Sequence, residues 1–249
     1  MNRPRSANLV SGVLLLLLLS GACYLLFVRL IPNSNWDGIA DNYQLLVRGW
    51  LATLAISSAA LLSSVTIGAL LVCGLRSGLT PVRIACRSYI EIIRGTPLLV
   101  QLFIGFYVFA DALGLEDRYL AGTLLLSLFA AAYLAEIFRG GIESIGASQF
   151  QAARAVGFDR VQVYRFVVIP QAVRRVLPAT AGQLASLVKD SSLLSVLAVN
   201  EFTKAAEIIN SKTYATFEAY IPIALGYLAL TIPISLAAAH LERRFRYDT

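Results

Sequence analysis

Apolar residues in this chain come in long runs that short polar segments separate. A helix rises about 1.5 Å per residue and needs about 20 apolar residues to cross the hydrocarbon core of a bilayer. Charged residues largely avoid six runs of roughly that length. These predicted spans are 9–28, 49–75, 97–113, 120–138, 177–199 and 218–240. Helices satisfy their own backbone hydrogen bonds in lipid, so the pattern predicts an all-α polytopic membrane protein with about six transmembrane helices.

The composition supports this interpretation, with 57% hydrophobic and 14% charged residues among 249. No low-complexity tract divides the chain, and 1–249 is interpreted as a single transmembrane domain. No strong inverted repeat is visible, which weakly disfavours a self-contained secondary transporter.

Arginine and lysine are distributed unevenly among the connections between the predicted spans. Fifteen fall in one set of connections: Arg3, Arg5, Arg76, Arg83, Arg87, Arg94, Arg139, Arg154, Arg160, Arg165, Arg174, Arg175, Arg243, Arg244 and Arg246. Five fall in the other set: Arg29, Arg48, Arg118, Lys204 and Lys212. The positive-inside rule therefore predicts that both termini are cytoplasmic. The net charge of +6 is then explained by topology and by contact with anionic membrane lipid, and no folded basic domain indicates nucleic-acid binding.

The first predicted span has two interpretations. Arg3 and Arg5, the apolar run 14–19 and the small residues 20–23 resemble a secretion signal. The apolar run continues through Val28, however, which favours a retained membrane anchor.

The segment from Arg139 to Arg175 is the one long polar segment of the chain. Helix formers precede Gly157, which can adopt the left-handed backbone that ends a helix, and Asp159 is placed to cap a second short helix. Pro170 is expected to end that second helix before the chain re-enters the membrane. A segment with this much local structure indicates a docking surface for another protein.

The residues of this segment also carry a family resemblance. Gln151-Ala152-Ala153, then Gly157, then Val167-x-Ile169-Pro170 resemble in spacing the E-A-A…G…I-x-L-P signature of permease subunits in binding-protein-dependent ABC importers. Four further segments resemble the polar amino acid branch of that family: 94–98, 136–142, 170–172 and 189–193. The resemblance covers about 40–246 and leaves 1–40 as an extra N-terminal helix. Gln151 stands where the family usually has Glu.

The resemblance implies the type I ABC importer permease fold, with 148–170 as a coupling loop seated in a groove of a cytoplasmic ABC ATPase dimer. The implied coupling residues are Gln151, Ala152, Ala153, Arg154, Gly157 and Pro170. It also implies a second permease subunit, the same or related, and an extracytoplasmic binding protein in a bacterial inner membrane. The substrate would be a polar amino acid or close derivative, and the partner subunits, not this chain, would use ATP.

Three polar residues lie within the predicted span that begins near Pro178. Gln183, Ser186 and Asp190 follow one another at intervals of three and four, which places them on one helix face. Asp190 lies roughly 18 Å past Pro178, and a charge at that depth costs at least about 2.5 kcal/mol. We interpret the three as lining a substrate pathway. The alternative is an internal ion pair, although Lys189 points about 100° away from Asp190.

Three charged residues are candidates for a structural or gating role. Glu136 and Arg139 are spaced for an ion pair at the end of their helix, where such a pair contributes only tenths of a kcal/mol. Arg94 precedes Gly95-Thr96-Pro97, where the helix is expected to break or bend as the next one begins.

Two other function classes remain beside the permease. An ion- or proton-coupled secondary transporter would use Asp190 and Glu136 as relay groups. A membrane-embedded enzyme has the least support from the sequence, which has no H-E-x-x-H motif and whose single histidine, His240, has no nucleophile partner. Three cysteines without ligand spacing predict no metal site. No lysine follows glycine, so a G-K-[ST] phosphate cradle is absent, which supports a division in which separate ATPase chains supply the energy.

Overall fold

The computed structural model describes residues 36–245, together with seven residues between 14 and 25. We number its helices α1 to α10 in chain order. They are α1 Asp37–Asp41, α2 Tyr43–Leu75, α3 Thr80–Gly95, α4 Leu98–Ile104, α5 Arg118–Glu143, α6 Ala147–Ala155, α7 Arg160–Gln162, α8 Ile169–Asp190, α9 Phe202–Thr213 and α10 Thr216–Phe245. Over these ranges there is no β-strand, which confirms the all-α prediction.

Within the part of the chain that the structure describes, three helices are long and apolar enough to cross a membrane: α2, α5 and α10. They match the predicted spans 49–75, 120–138 and 218–240. A fourth is present if α3 and α4 count as one broken span, with their axes bent by 113°. The first predicted span, 9–28, lies largely outside the described residues.

The bend between α3 and α4 occurs at Thr96 and Pro97, where the sequence predicts a break. Thr96 is extended, with φ −123° and ψ 149°, because proline disfavours helical backbone in the residue before it. Gln101 Nε2 spans the break and donates to the carbonyls of Ile93 at 2.7 Å and Thr96 at 3.0 Å. The predicted span 97–113 is therefore the shorter arm of a bent pair, formed by α4 and the π-helical turns Gly105–Ala110.

The boundaries predicted for the span 177–199 are wrong. The helix α8 begins nine residues before Pro178, which lies inside it, and ends at Asp190. The chain continues as a 3-10 helix, Ser191–Leu197, which ends where Ala198 adopts left-handed backbone with φ 56°. Proline is tolerated in a membrane helix because neighbouring groups satisfy the freed backbone carbonyl.

The core forms where α2 packs along α5 and α8 packs against both. Small residues make this close approach possible. A Cβ atom at Gly68 of α2 would meet the Leu134 Cβ at 3.1 Å and the Ala131 carbonyl oxygen at 3.2 Å on α5. Facing this contact, α5 buries a run of alanines completely: Ala130, Ala131, Ala132 and Ala135.

The helices bring the connections together at two ends of the molecule. At one end Arg76, which follows α2, donates through Nη2 to the Tyr164 hydroxyl at 2.6 Å, and α3 contacts the end of α5. We call this the polar-loop end, where the polar loop is residues 144–168. At the other end α2 packs against α9, and the Tyr119 hydroxyl at the start of α5 donates to the carbonyl of Asn200, two residues before α9, at 3.4 Å.

Candidate functional site

The polar loop has a defined local structure around Gly157. This residue has φ +87°, as the sequence predicts for a helix stop. The Gly157 amide donates to the Arg154 carbonyl at 3.0 Å, and the Phe158 amide donates to the Ala153 carbonyl at 3.1 Å. These two bonds form a Schellman motif, which satisfies the last carbonyls of α6 and fixes the direction in which the chain leaves it.

The second helix of the loop begins with a capping box. The Gln162 amide donates to Asp159 Oδ1 at 2.8 Å, and the Asp159 amide donates to Gln162 Oε1 at 2.9 Å, so the predicted cap is confirmed. Pro170 does not end this helix, which corrects the sequence-based expectation. The chain stays helical from α7 through the π-helical segment Val163–Val168 into α8, and the wider π-helical turn leaves room for the pyrrolidine ring.

The inner side of the polar loop is packed against the helix bundle. Five side chains form its buried cluster: Ile145, Ala153, Val163, Val168 and Ala172. Ala153 is only 5% exposed and packs in this cluster, so it anchors the loop on the bundle, and its role in coupling stays a prediction. Gln151, Ala152, Arg154 and Gly157 are exposed.

The outer side of the loop carries apolar side chains that the sequence analysis missed. Val156, Val161 and Phe166 are 72%, 73% and 58% exposed. The exposed arginines Arg154, Arg160 and Arg165 accompany them in the loop. The position of Val161 in the sequence could have indicated its exposure. It lies two residues after the capping residue Asp159, in the first turn of its helix, and the buried residues of that segment come later. Exposed apolar groups beside charges are typical of a protein-binding surface.

A cavity of about 940 Å³ lies between the polar loop and helices α2, α5 and α8. Its lining is mostly apolar, with Arg76, Arg154 and Arg160 as its charged members. Besides donating to the Tyr164 hydroxyl, the Arg76 guanidinium lies 5.6 Å from the centre of the tyrosine ring. This contact joins the end of α2 to the loop. A displacement of the loop would therefore be transmitted directly to α2.

Glu136, Arg139 and Arg94 come together at the polar-loop end. Arg139 Nη2 lies 2.8 Å from Glu136 Oε2, which confirms the predicted pair. Arg94 Nη1 lies 3.0 Å from the same oxygen. Arg94 thus joins the end of α3 to α5, rather than serving only as an entry to the next helix. Arg139 also pairs with Glu143 at 2.7 Å, a partner that its i+4 spacing could have revealed.

Gln183, Ser186 and Asp190 are each half-buried on α8. They line neither the 940 Å³ cavity nor the second cavity at the polar-loop end. Within the described part of the chain, the Asp190 side chain makes no hydrogen bond or ion pair, and the neighbouring Lys189 is exposed. Their role in a substrate pathway therefore stays a prediction.

Cys73 is exposed and Cys86 is half-buried, and both are free thiols. Among the residues that the structure describes, no three or more His, Cys, Asp or Glu side chains cluster as metal ligands would.

Comparisons with known proteins agree on one class. Residues 64–247 match the family described as binding-protein-dependent transport system inner membrane component. The chain is 35% identical over 211 residues to the probable glutamine ABC transporter permease protein GlnM of Bacillus subtilis (strain 168), covering 84% of this chain and 97% of GlnM. It is 38% identical over 192 residues to the octopine transport system permease protein OccM of Rhizobium radiobacter, covering 72% and 78% of the two chains. A crystal structure of an amino acid ABC transporter with histidines matches with a TM-score of 0.79 and 34% identity, covering 84% of this chain and 98% of that one.

Proposed function

This chain belongs to the family of inner membrane components of binding-protein-dependent transport systems, and we propose that it imports a polar amino acid or a close derivative. It is a membrane-spanning permease subunit of an ABC importer and not an enzyme. None of the matching proteins supports an ion- or proton-coupled mechanism.

The substrate class rests on the relatives and on one side chain. The relatives are named for glutamine and octopine, and the solved transporter contains histidines. Each of these compounds carries an ammonium or amine together with a carboxylate. Asp190 is the carboxylate that could meet the cationic group, with Gln183 and Ser186 on the same face as neutral hydrogen-bonding groups.

The polar loop is the element that would bind the ATPase. The observation that carries this proposal is the division of the loop into a packed inner side and an outer side that exposes Val161 and Phe166. An outer side held in one geometry by a Schellman motif and a capping box loses little entropy on docking. Exposed Arg160 and Arg165 would meet acidic edges of the groove, and neutral Gln151 would contribute a hydrogen bond without a salt bridge.

The remaining partners follow from the family. The transporter would contain a second permease subunit, the same or related, an ATPase dimer that hydrolyses ATP, and an extracytoplasmic binding protein. We place the polar-loop end and both termini in the cytoplasm of a bacterium, because the arginine-rich connections meet at that end.

Uptake into vesicles tests the proposed energy source. Right-side-out membrane vesicles would be prepared from cells that produce the complete transporter, and labelled glutamine or arginine would be supplied with the binding protein. We expect uptake to require ATP inside the vesicles and to persist when an ionophore collapses the ion gradients. Uptake that stops with the gradient and continues without ATP would reject the proposal.

Replacing Gly157 with valine tests the coupling role of the loop. A β-branched residue at φ +87° is strained by roughly 1–2 kcal/mol, and this strain opposes the Schellman motif that directs the outer side of the loop. No other group lies within 4 Å of a Cβ atom built there, so the packed inner side stays intact. We expect ATP hydrolysis stimulated by the binding protein to fall about tenfold or more, with membrane yield unchanged.

Gly114→Val is the matched control. Gly114 also has positive φ, at +66°, and open space around it, but it lies in the connection between the π-helical turns and α5 at the opposite end. The control should keep its stimulated hydrolysis. Equal losses in both variants, or parental stimulation in Gly157→Val, would remove the polar loop from the coupling mechanism.

A further inference from the structure

A second cavity at the polar-loop end, of about 360 Å³, is strongly basic. We call it the arginine pocket. Its charged lining residues come from α3 and α5: Arg83, Arg87, Glu91, Arg94, Glu136 and Arg139. Four guanidinium groups face two carboxylates, which leaves two positive charges in excess.

The spacing along α3 explains why these groups face the same cavity. Arg83, Arg87, Glu91 and Arg94 follow one another at intervals of four, four and three, which forms one continuous helix face. The adjoining face of α3 packs on the bundle through Ile90, which is only 4% exposed and clusters with Val72 of α2 and Ala135 of α5. The charged row is therefore held at a fixed distance from α5.

The arginines of the pocket differ in how many of their donors already have a partner. Arg94 and Arg139 share Glu136, as described above, and Arg87 Nε pairs with Glu91 at 2.9 Å. That pair is 76% and 66% exposed, so water screens it and it is weak. Arg83 donates only to the Thr80 hydroxyl at 3.4 Å and has no carboxylate partner among the described residues. Arg83 and Arg87 thus have donors available for a further anion.

Apolar side chains flank this charged row on the outside of the helix. Ile84 and Ile92 are 59% and 63% exposed and are eight residues apart, so they lie on one side of α3. The helix is bent by 113° from α4 and packs against both α2 and α5. A helix with a basic face and exposed isoleucines, packed beside membrane-spanning helices, is typical of the lipid interface.

We propose that the arginine pocket binds the phosphodiester headgroup of an anionic phospholipid, with Arg83 and Arg87 as its principal donors. Guanidinium groups bind phosphate oxygens through paired, charge-assisted hydrogen bonds. Ile84 and Ile92 contact the acyl chains of the same leaflet, which distinguishes this ligand from a free anion. The pocket lies beside the Arg94–Glu136 pair that joins α3 to α5, so the bound lipid stabilises the bent α3–α4 arrangement.

Lipid binding to the purified full-length chain tests this proposal. Native mass spectrometry would count phosphatidylglycerol and phosphatidylcholine molecules retained from mixed micelles, with and without an excess of inorganic phosphate. We expect phosphatidylglycerol to be retained and phosphatidylcholine lost, with inorganic phosphate unable to displace the lipid. This measurement on the parental chain requires no variant.

Two pairs of substitutions locate the site. Arg83→Gln with Arg87→Gln should weaken phosphatidylglycerol retention about tenfold, because the charge-assisted bonds are lost. Arg83→Gln alone breaks no ion pair of the described residues and should give a smaller loss in a chain that folds normally. Arg243→Gln with Arg244→Gln removes the same charge at the end of α10 and should leave retention unchanged.

Three results would overturn the proposal. The first is parental retention of phosphatidylglycerol in the Arg83→Gln and Arg87→Gln variant. The second is an equal loss in the Arg243→Gln and Arg244→Gln control, which would show a non-specific charge effect. The third is displacement of the lipid by inorganic phosphate, which would make the pocket a site for a free anion.

Discussion

At the residue scale, Glu201 and Asp190 are two carboxylates with different surroundings. Glu201 is completely buried and accepts four hydrogen bonds. The donors are the Thr53 hydroxyl at 3.3 Å, the Tyr227 hydroxyl at 2.9 Å, the Thr203 amide at 2.9 Å and the Lys204 amide at 2.8 Å. Glu201 thereby caps α9 and joins it to α2 and α10, which gives it a structural role.

Replacing Glu201 with alanine should destabilise the folded chain. The substitution removes a helix cap, which costs about 0.5–2 kcal/mol, and leaves buried donors without an acceptor, which costs about 1–3 kcal/mol. Thermal unfolding in detergent would measure the change. Glu207→Ala is the control, because its pair with Lys204 is partly exposed and contributes about 0–1 kcal/mol. Equal midpoints for the two variants would contradict the structural role of Glu201.

Replacing Asp190 with asparagine should impair transport more than assembly. The side chain keeps its shape and loses its charge, so an ammonium group of the substrate would lose its partner. Uptake and membrane yield would be compared in the same vesicles, with Lys189→Gln as a control on the neighbouring exposed residue. A lower yield would instead indicate a buried ion pair. Parental uptake and yield would remove Asp190 from the pathway.

At the element scale, close helix packing depends on glycine and alanine at defined positions. A Cβ atom at Gly68 would lie tightly against α5, 3.2 Å from the Ala131 carbonyl oxygen, and one at Gly141 would collide with the Val176 side chain of α8. Gly140, one residue before Gly141, has nothing within 4 Å of such an atom. Two adjacent glycines in α5 therefore have different roles, because a step of one residue turns the helix by about 100°.

Replacing Gly68 with alanine should strain the contact between α2 and α5, whose backbones would have to move apart by a few tenths of an ångström. The added methyl group would press against the backbone of α5, and overpacking of this kind typically costs about 1–3 kcal/mol. Gly140→Ala is the control and should be neutral or stabilising by up to about 1 kcal/mol, because alanine favours the helix. Unfolding midpoints in the same detergent would compare the two. A Gly68→Ala midpoint at or above that of Gly140→Ala would contradict this account of the packing.

At the scale of the whole molecule, the two ends differ in charge. The polar-loop end gathers the arginines that follow α2, line α3 and occupy the polar loop. The opposite end, where α1, α9 and the start of α5 lie, has more acidic residues, including Asp37, Asp117, Glu201 and Glu207. Basic segments resist export across the membrane, and this difference predicts the orientation of the molecule.

Reporter fusions at Gly78 and Asp37 would test this orientation. We expect a fusion at Gly78, between α2 and α3, to report a cytoplasmic location, and one at Asp37 to report the outside. A fusion at Gly114 serves as a second outside marker and should agree with Asp37. A cytoplasmic signal from Asp37 or an external signal from Gly78 would reverse the proposed topology.

The sequence by itself determined the features that depend on neighbouring residues. Apolar run length predicted α2, α5 and α10, proline chemistry predicted the break after Thr96, and the Gly157 and Asp159 signals predicted the helix stop and cap of the polar loop. Each depends on backbone preferences and hydrogen bonds within a few residues. The motif spacing carried the family resemblance for the same reason, because a fixed set of local turns requires a fixed spacing.

Only the tertiary structure decided which faces meet. Pro170 continues a helix instead of ending it, because a π-helical turn precedes it, and Ala153 points inward, because the loop packs on α8. Arg94 pairs with Glu136 across two helices, and Glu201 joins three elements although it lies 148 residues from Thr53. Contacts between residues this far apart in the chain depend on how the helices pack together, and the local pattern around either residue does not contain that information.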